Sequence, residues 1–343
     1  MKVAVIADTH FGSRNDNRTI QHHQEYFLAN IFFPVIKKLG IKHVIHLGDL
    51  VEKRKGIDFV TLKFMREHFF EPLVELDVRI DIICGNHDTY FKSTNDTNAL
   101  SELLYGYDYN VRTIIEPTTR KFDDRTVLYV PWITPDNHHT TLDKIKETKA
   151  TTAFGHLELV GFEYFRGQTS TRGLSRDIFK KFNHVWSGHF HQSSMQGNIS
   201  YVGAPYEMTW NDAGCQRGFG IWTPKTNGWL PLRNPKTVFD YIEYEDGMKP
   251  PNVKDKYIKL SIGSSSNTIG FDMFRSELQD KGPADLKVDD IPVVIDDEQI
   301  DVEAKDTQSV MIDSINALQR DDAVQIQELM MDIYKEATVM VNE

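Results

Sequence analysis

At 343 residues the chain is long enough for two domains and a core of ordinary size, and 40% hydrophobic with 26% charged residues describes a soluble globular protein. No stretch approaches the roughly eighteen apolar residues of a membrane helix, and the opening run before Asp8 is too short for a signal peptide, so a cytoplasmic protein without membrane contact is expected. The net charge of −11 argues against a nucleic-acid partner only until it is divided: residues 231–343 hold 12 basic and 24 acidic residues, which leaves 1–230 near neutrality.

Residues 3–7 (Val-Ala-Val-Ile-Ala) predict an apolar strand ending at Asp8-Thr9-His10-Phe11-Gly12, where Asp8 and His10, two apart, project to one side. Tyr26, Phe27, Ile31, Val35 and Leu39 recur at helical spacing and predict a helix over 19–39. A second strand, 43–47, ends at Gly48-Asp49-Leu50-Val51-Glu52, and a second helix over about 57–71 carries Phe59, Leu62, Phe64, Met65 and Phe69. The third strand, 80–84, closes at Gly85-Asn86-His87-Asp88, a turn presenting an amide oxygen, an imidazole and a carboxylate in succession. Its Cys84 reads as a buried, reduced thiol, and neither Cys84 nor Cys215 has metal-ligand spacing.

Alternating strands and helices predict a layered α/β domain with parallel pairing, in which ligands bind beyond the carboxyl ends of the strands. The pattern continues with strands at 127–130, followed by Pro131-Trp132, and at 152–154, ending at Gly155-His156-Leu157-Glu158. Residues 184–186 end at Ser187-Gly188-His189-Phe190-His191, and strands at 199–202 and 218–222 follow. These later strands follow one another without room for helices, which predicts a second sheet packed on the first. Beyond 230 the composition changes. Strands at 237–245, 256–262 and 291–295 with a helix at 270–281 predict a small α+β appendage. The acidic stretch 285–306 is expected to contain a linker, and 307–320 and 322–341 have helical periodicity.

The strand ends collect Asp8, His10, Asp49, Asn86, His156, His189 and His191. Two octahedral ions sharing one carboxylate need about this many protein ligands, and four histidines move the preference from magnesium toward manganese, iron or zinc. Such a pair activates water and holds phosphate oxygens. His87 is left over as proton donor or charge stabiliser for a leaving oxygen.

Asp8-x-His10, Gly48-Asp49, Gly85-Asn86-His87-Asp88, Gly155-His156 and Gly188-His189-x-His191 resemble, in order, the signature of the calcineurin-like metallophosphoesterases. The resemblance covers residues 1 to about 222 and implies a two-sheet αββα sandwich. It implies one metal on Asp8, His10, Asp49 and His191 and another on Asp49, Asn86, His156 and His189, with Asp49 bridging. Within that superfamily Phe11-Gly12, the segment 155–162 and the run 185–191 resemble the nuclease subunits of SbcCD-type complexes, in particular the recombination endonuclease subunits of large tailed phages. This implies a nuclease domain (1–230), a DNA-capping α+β domain (231–296), and an acidic linker with a helical ATPase-binding segment (297–343). The implied activity is 3′-to-5′ exonuclease on duplex ends and endonuclease on single strands, with two Mn2+ for which Mg2+ is a weaker substitute. The implied partners are DNA, an SbcC-type coiled-coil SMC-like ATPase bound through the C-terminal helices, and a second copy met through helices near 57–71 and 90–105.

Glu52 stands three after Asp49, where some relatives carry His and many phosphatases Asp; a Glu52–His87 acid–imidazole pair is expected. His22-His23 and His138-His139 are expected to face solvent, and His43, His46 and His184 to be core or edge residues. For Phe59, Phe64, Phe69 and Phe70, core and interface readings compete, as do phosphate contact and plain solvation for Lys53, Arg54 and Lys55. A phosphatase or cyclic-nucleotide phosphodiesterase of the same fold is the enzymatic alternative, against which the appendage and terminal helices weigh. A non-catalytic scaffold is the other, against which the complete ligand set weighs.

Overall fold

The computed structural model describes residues 1–288 apart from 108–109, 166 and 265. The expected strand 291–295, the helices 307–320 and 322–341 and most of the acidic stretch lie outside the described residues. The first sheet contains β1 (Val3–Ile6), β2 (His43–His46), β3 (Arg79–Ile83) and β4 (Val111–Ile114), mutually parallel. The second contains β5 (Thr118–Phe122), β6 (Arg125–Val130) and β7 (Thr152–His156). After a small hairpin, β8 (Glu163–Phe165) and β9 (Gln168–Thr169), it is completed by β10 (His184–Gly188), β11 (Ser194–Gln196) and β12 (Ile199–Tyr201). The chain then returns to the first sheet as β13 (Gly218–Thr223), antiparallel to β1, and β14 (Gly228–Arg233). The strand orders are β14-β13-β1-β2-β3-β4 and β11-β12-β10-β7-β6-β5.

The wholly apolar character of β1 and its neighbours follows from burial on both faces. Val3, Val5 and Ala7 face the second sheet with Ile45, Leu47, Phe154, Trp186 and Trp222. The alternate residues Ala4 and Ile6 face the helices with Phe27, Phe32, Phe69 and Phe70. On the outer face of the second sheet, Leu128, Ala153 and Val185 are covered by Ile145, Phe179 and Phe182. The result is the expected αββα sandwich.

The helix expected over 19–39 runs as Arg18–Phe27 and Phe33–Leu39 joined through a π-helical turn at Leu28–Phe32. That expected over 57–71 runs as Phe59–Met65, a second π-helical turn at Arg66–Phe70, and Glu71–Glu75. Phe69 and Phe70 are core, whereas Phe59 is 86% exposed. One expectation is corrected between the later strands: residues His138–Glu147 form a helix, because Thr141 and Ile145 face the second sheet although the segment is mostly polar. The strands at 111–114, 118–122 and 228–233 were not foreseen: the first two are half-exposed with several polar residues, and the third, though rich in apolar residues, is interrupted by Pro231 and starts at Gly228.

The appendage is a parallel three-stranded sheet, β15 (Phe239–Tyr244), β16 (Tyr257–Ile262) and β17 (Asp285–Val288), with a helix at Thr268–Asp280 crossing from β16 to β17. β17 thus opens the stretch expected to contain a linker. It pairs with β16 because Leu286 joins Ile258, Leu260 and Phe274 in one small core. Glu207, buried in the sandwich, accepts hydrogen bonds from the amides of Val238 (2.6 Å) and Phe239 (2.9 Å), and so ties down the start of this sheet.

Candidate active site

The carboxyl ends of β1, β2, β3, β7 and β10 meet at one edge of the sandwich, and each is followed at once by a polar turn. Asp8, His10, Asp49 and His189 all sit at positive φ (51, 42, 54 and 92°). Such backbone costs a non-glycine residue on the order of 1–3 kcal/mol and persists where surrounding contacts over-determine it. Here the turns hold each other. The amides of Asp8 and His10 donate to the carbonyls of Gly48 and Asp49 (3.0 Å each), and the Phe11 amide to Leu50 (2.9 Å). Gly85 lies so close to Asp49 that a Cβ would come within 2.2 Å of Asp49 Oδ1.

Eight expected residues converge there. In three overlapping groups, donor atoms lie within 4.8 Å of one another: Asp8 with His10 and His191, His10 with Asp49 and His87, and Asp49 with His156 and His189. Asp49 Oδ2 lies 3.3 Å from His156 Nε2 and 3.7 Å from His10 Nε2. Asn86 Oδ1 is 2.9 Å from His156 Nε2 and 2.8 Å from His189 Nδ1. Asp49 is therefore shared between groups.

The donor set fits divalent cations on two further grounds. Asp8 Oδ2 is buried with no hydrogen-bond partner among the described residues, and the Nε2 atoms of His10 and His191 face each other at 3.0 Å. Buried polar atoms in proteins are rarely left in that state, and carboxylate, amide and imidazole donors together suit first-row transition metals.

Burial alone would raise the Asp49 pKa, but His156, His10 and His87 hold it well below the usual carboxylate range. Burial pushes Asp8 up in spite of His156 and His191. Burial would likewise disfavour an imidazolium at His10, yet Glu52 and Asp49 carry it to about 9. At His156 burial is outweighed by Asp49, again to about 9. His189, buried and next to His156, falls to about 3.

Supporting groups fix the candidate ligand side chains, as outer partners do at metal sites. His156 Nδ1 lies 2.8 Å from the Leu47 carbonyl, and the His189 amide donates to Asp8 Oδ1 (2.9 Å). His191 has Asp212 Oδ1 3.7 Å from its Nδ1, and its carbonyl accepts from Arg217, which also pairs with Asp212.

The expected Glu52–His87 side-chain pair is not formed. The Glu52 carboxylate lies 2.7 Å from His10 Nδ1, and it is the Glu52 backbone carbonyl that takes the His87 Nδ1 proton, at 2.6 Å. The cause is register: the Glu52 amide donates to the Phe11 carbonyl (3.0 Å), so the second loop runs alongside the first and aims residue 52 at His10. Of the histidines expected in solvent, His23 is buried, its Nε2 2.9 Å from the Asp255 carbonyl. His43 and His46 are core residues as expected, His43 beside Asp81 and His46 beside Thr9.

Two contributors escaped the sequence reading. Asp88 is fully buried, and its carboxylate accepts from four backbone amides, those of Asp49 (2.9 Å), Leu50 (2.9 Å), Val51 (3.3 Å) and Gly85 (2.8 Å). An Asp closing a Gly-Asn-His-Asp turn is the signal that could have revealed it, since Asp favours bonds to nearby backbone. Trp132, just past β6, lays its indole 5.1 Å from the His189 ring and 5.9 Å from that of His156. A cavity of about 630 Å³ opens beside His189 and His191, bordered by Tyr164, Ser170, Arg172 and Phe190.

The family model of the calcineurin-like phosphoesterases matches residues 1–193, which carry every motif collected at this edge. The chain belongs to that family. A calcineurin-like phosphoesterase of this kind uses divalent metal, for which the three donor groups are the candidates. Over 323 residues the chain is 33% identical to exonuclease subunit 1 of Enterobacteria phage T4, with 93% of each chain covered. A solved structure, described as a novel archaeal phosphodiesterase, aligns over 68% of this chain and 100% of its own with 14% identity and a TM-score of 0.36. That likeness is too distant to bear on the site. No described helix is long and apolar enough to cross a membrane.

Proposed function

We propose that this phosphoesterase is a two-metal DNA nuclease, an exonuclease on duplex ends and an endonuclease on single strands, that works with an SMC-like ATPase in recombination and break repair. The observation that carries the metal assignment is the sharing of Asp49 between donor groups. Asp8, His10, Asp49 and His191 would hold one ion, and Asp49, Asn86, His156 and His189 the other, a donor mixture that suits manganese, iron or zinc and of which Mn2+ is assigned here on the resemblance to the phage nucleases. When bound, such a pair supplies a lowered water pKa and charge neutralisation at phosphate oxygens.

The chain's own groups supply orientation and a proton. The Glu52 carbonyl fixes the proton-bearing nitrogen of His87 as Nδ1, which leaves Nε2 as the atom that meets the substrate. From Nε2 an imidazolium gives its proton to the leaving 3′ oxygen, a contribution worth about 10²–10⁴ in rate. Asp88 keeps the Asp49 and Gly85 turns together, and Glu52 and Asp212 orient His10 and His191.

DNA as substrate is supported by similarity to a phage exonuclease subunit and by the breadth of the cavity beside His189. The word "subunit" in that relative's name is consistent with an ATPase partner, here assigned to residues 307–341. A homodimer is supported by exposed aromatics on the segments expected to meet, Phe59 at 86%, Phe91 at 50% and Tyr105 at 80%.

The test is Mn2+-dependent degradation of end-labelled duplex and single-stranded DNA, with bis-nitrophenyl phosphate assayed in parallel. Asp49→Ala abolishes both activities in this reading, and His87→Ala lowers kcat on DNA about 10²–10⁴-fold while metal binding persists. Hydrolysis of the small ester with DNA untouched, even with an ATPase partner present, would move the chain to the small-substrate phosphodiesterases.

A further inference from the structure

A second, smaller cavity shares Glu158 with the large one. It measures about 190 Å³, below the roughly 300–1,000 Å³ of sites for drug-sized ligands, and so suits a single ring system. Its walls are Trp132, His138, Glu158 and Leu174, and its floor reaches the His156 ring.

The walls are held rigidly. The Trp132 amide donates to the Cys84 carbonyl (2.8 Å), and the Trp132 carbonyl accepts from Asn95 Nδ2 (2.9 Å) and Asn137 Nδ2 (3.0 Å). Opposite, the Leu174 amide donates to the Glu158 carbonyl (2.9 Å) and the Val160 amide to Leu174 (3.1 Å). Gly173, at φ +100, permits that approach; a Cβ there would stand 2.2 Å from the Glu158 oxygen.

We infer that this slot receives the base of the nucleotide being excised, an inference that rests on the nuclease reading. An exonuclease acting on a duplex end must part the terminal base pair, and the freed base needs a surface to replace its stack. Trp132 and His138, both half-buried in the lining, provide aromatic faces, and base–aromatic stacking is sequence-tolerant and substantial. The chemistry in the slot is also selective. Among the described residues no side-chain hydrogen bond or ion pair engages the Glu158 carboxylate, which lines the slot, and a carboxylate accepts from an exocyclic amine such as cytosine N4. Thymine has no such amine. The slot abuts His156, so a base placed there belongs to the nucleotide at the reacting phosphate and not to one further along the strand.

The experiment compares release of a 3′-terminal nucleotide from three Mn2+-loaded duplexes that end in dC, in dT or in an abasic residue. Expected are a kcat/KM at least tenfold higher for dC than for the abasic end, and dC ahead of dT. Without a base slot the order reverses, because an abasic end has no pair to part; equal or faster abasic release from the wild-type protein overturns the inference. Leu174→Trp, which fills the slot, is expected to bring the dC-to-abasic ratio toward one, and an unchanged ratio in a cleaving variant also overturns it. Failure to release anything from any duplex would instead overturn the nuclease reading, which keeps the two apart.

Discussion

Replacing Asp88 by Asn tests whether one buried carboxylate holds the site together. In the native turn Oδ1 accepts from Leu50 and Val51, and Oδ2 from Asp49 and Gly85. An asparagine keeps one oxygen and presents an NH2 to the other pair of amides. Two buried N–H groups then lack an acceptor, at about 1–3 kcal/mol each, so the loss is about 2–6 kcal/mol. That is a large share of the roughly 5–15 kcal/mol by which domains are stable. Guanidinium unfolding of the metal-free protein, wild type against Asp88→Asn, reads the difference directly, and calorimetric Mn2+ titration reads the effect on the Asp49 loop. A loss under about 1 kcal/mol with unchanged Mn2+ affinity would refute the reasoning.

Other outcomes follow from the same geometry. Glu52→Gln removes the carboxylate beside His10 and is expected to weaken Mn2+ binding about 10–100-fold, as loss of outer partners does; calorimetry of the folded variant measures it. Asp81 is buried against His43, Arg120 and Tyr129, and burial, which alone would raise its pKa, is outweighed by His43 and Arg120, so that it is lowered. Its folded pKa lies below the unfolded value of about 3.9, so its stabilisation is full above that value and disappears as pH falls through the folded one. Asp81→Asn should be less stable at neutral pH by about 3 kcal/mol and flatter in its acid unfolding profile, followed by circular dichroism from pH 7 to 2. Glu207→Ala frees the amides of Val238 and Phe239 and is expected to speed proteolytic cutting near 234–238 while the sandwich fragment resists; mass spectrometry of a timed digest shows the cut.

The sandwich and its reactive edge were legible in the sequence because strands buried on both faces leave long apolar runs. A parallel layered sheet then brings the ends of such runs to one side. Asp8, Asp49, Asn86, His156 and His189 each stand just beyond such a run, and no knowledge of side-chain direction was needed to group them. The edge strands β4 and β5 were hidden by their solvent-facing polar residues, as with Thr118-Thr119-Arg120-Lys121, and β14 by Gly228 and Pro231. The partner of Glu52 was misjudged for another reason. Which imidazole a carboxylate meets depends on how two loops align, here through the Glu52–Phe11 backbone bond, and spacing along one loop does not encode that alignment. Asp88 was visible as a motif residue, but its four amide partners come from two turns 34 residues or more apart, beyond the reach of local pattern.

The position of β13 has a consequence for how the protein is made. β1 precedes every other described strand, yet among the described residues one of its edges is covered only by β13, whose first residue is Gly218. Candidate ligands likewise begin at Asp8 and end at His191. During translation the first sheet therefore stays open-edged, and the site stays incomplete, until more than half of the chain has left the ribosome. Long-range closure of this kind is slow and leaves strand edges exposed to mispairing. It also means that no nascent fragment ending before His191 carries the full constellation.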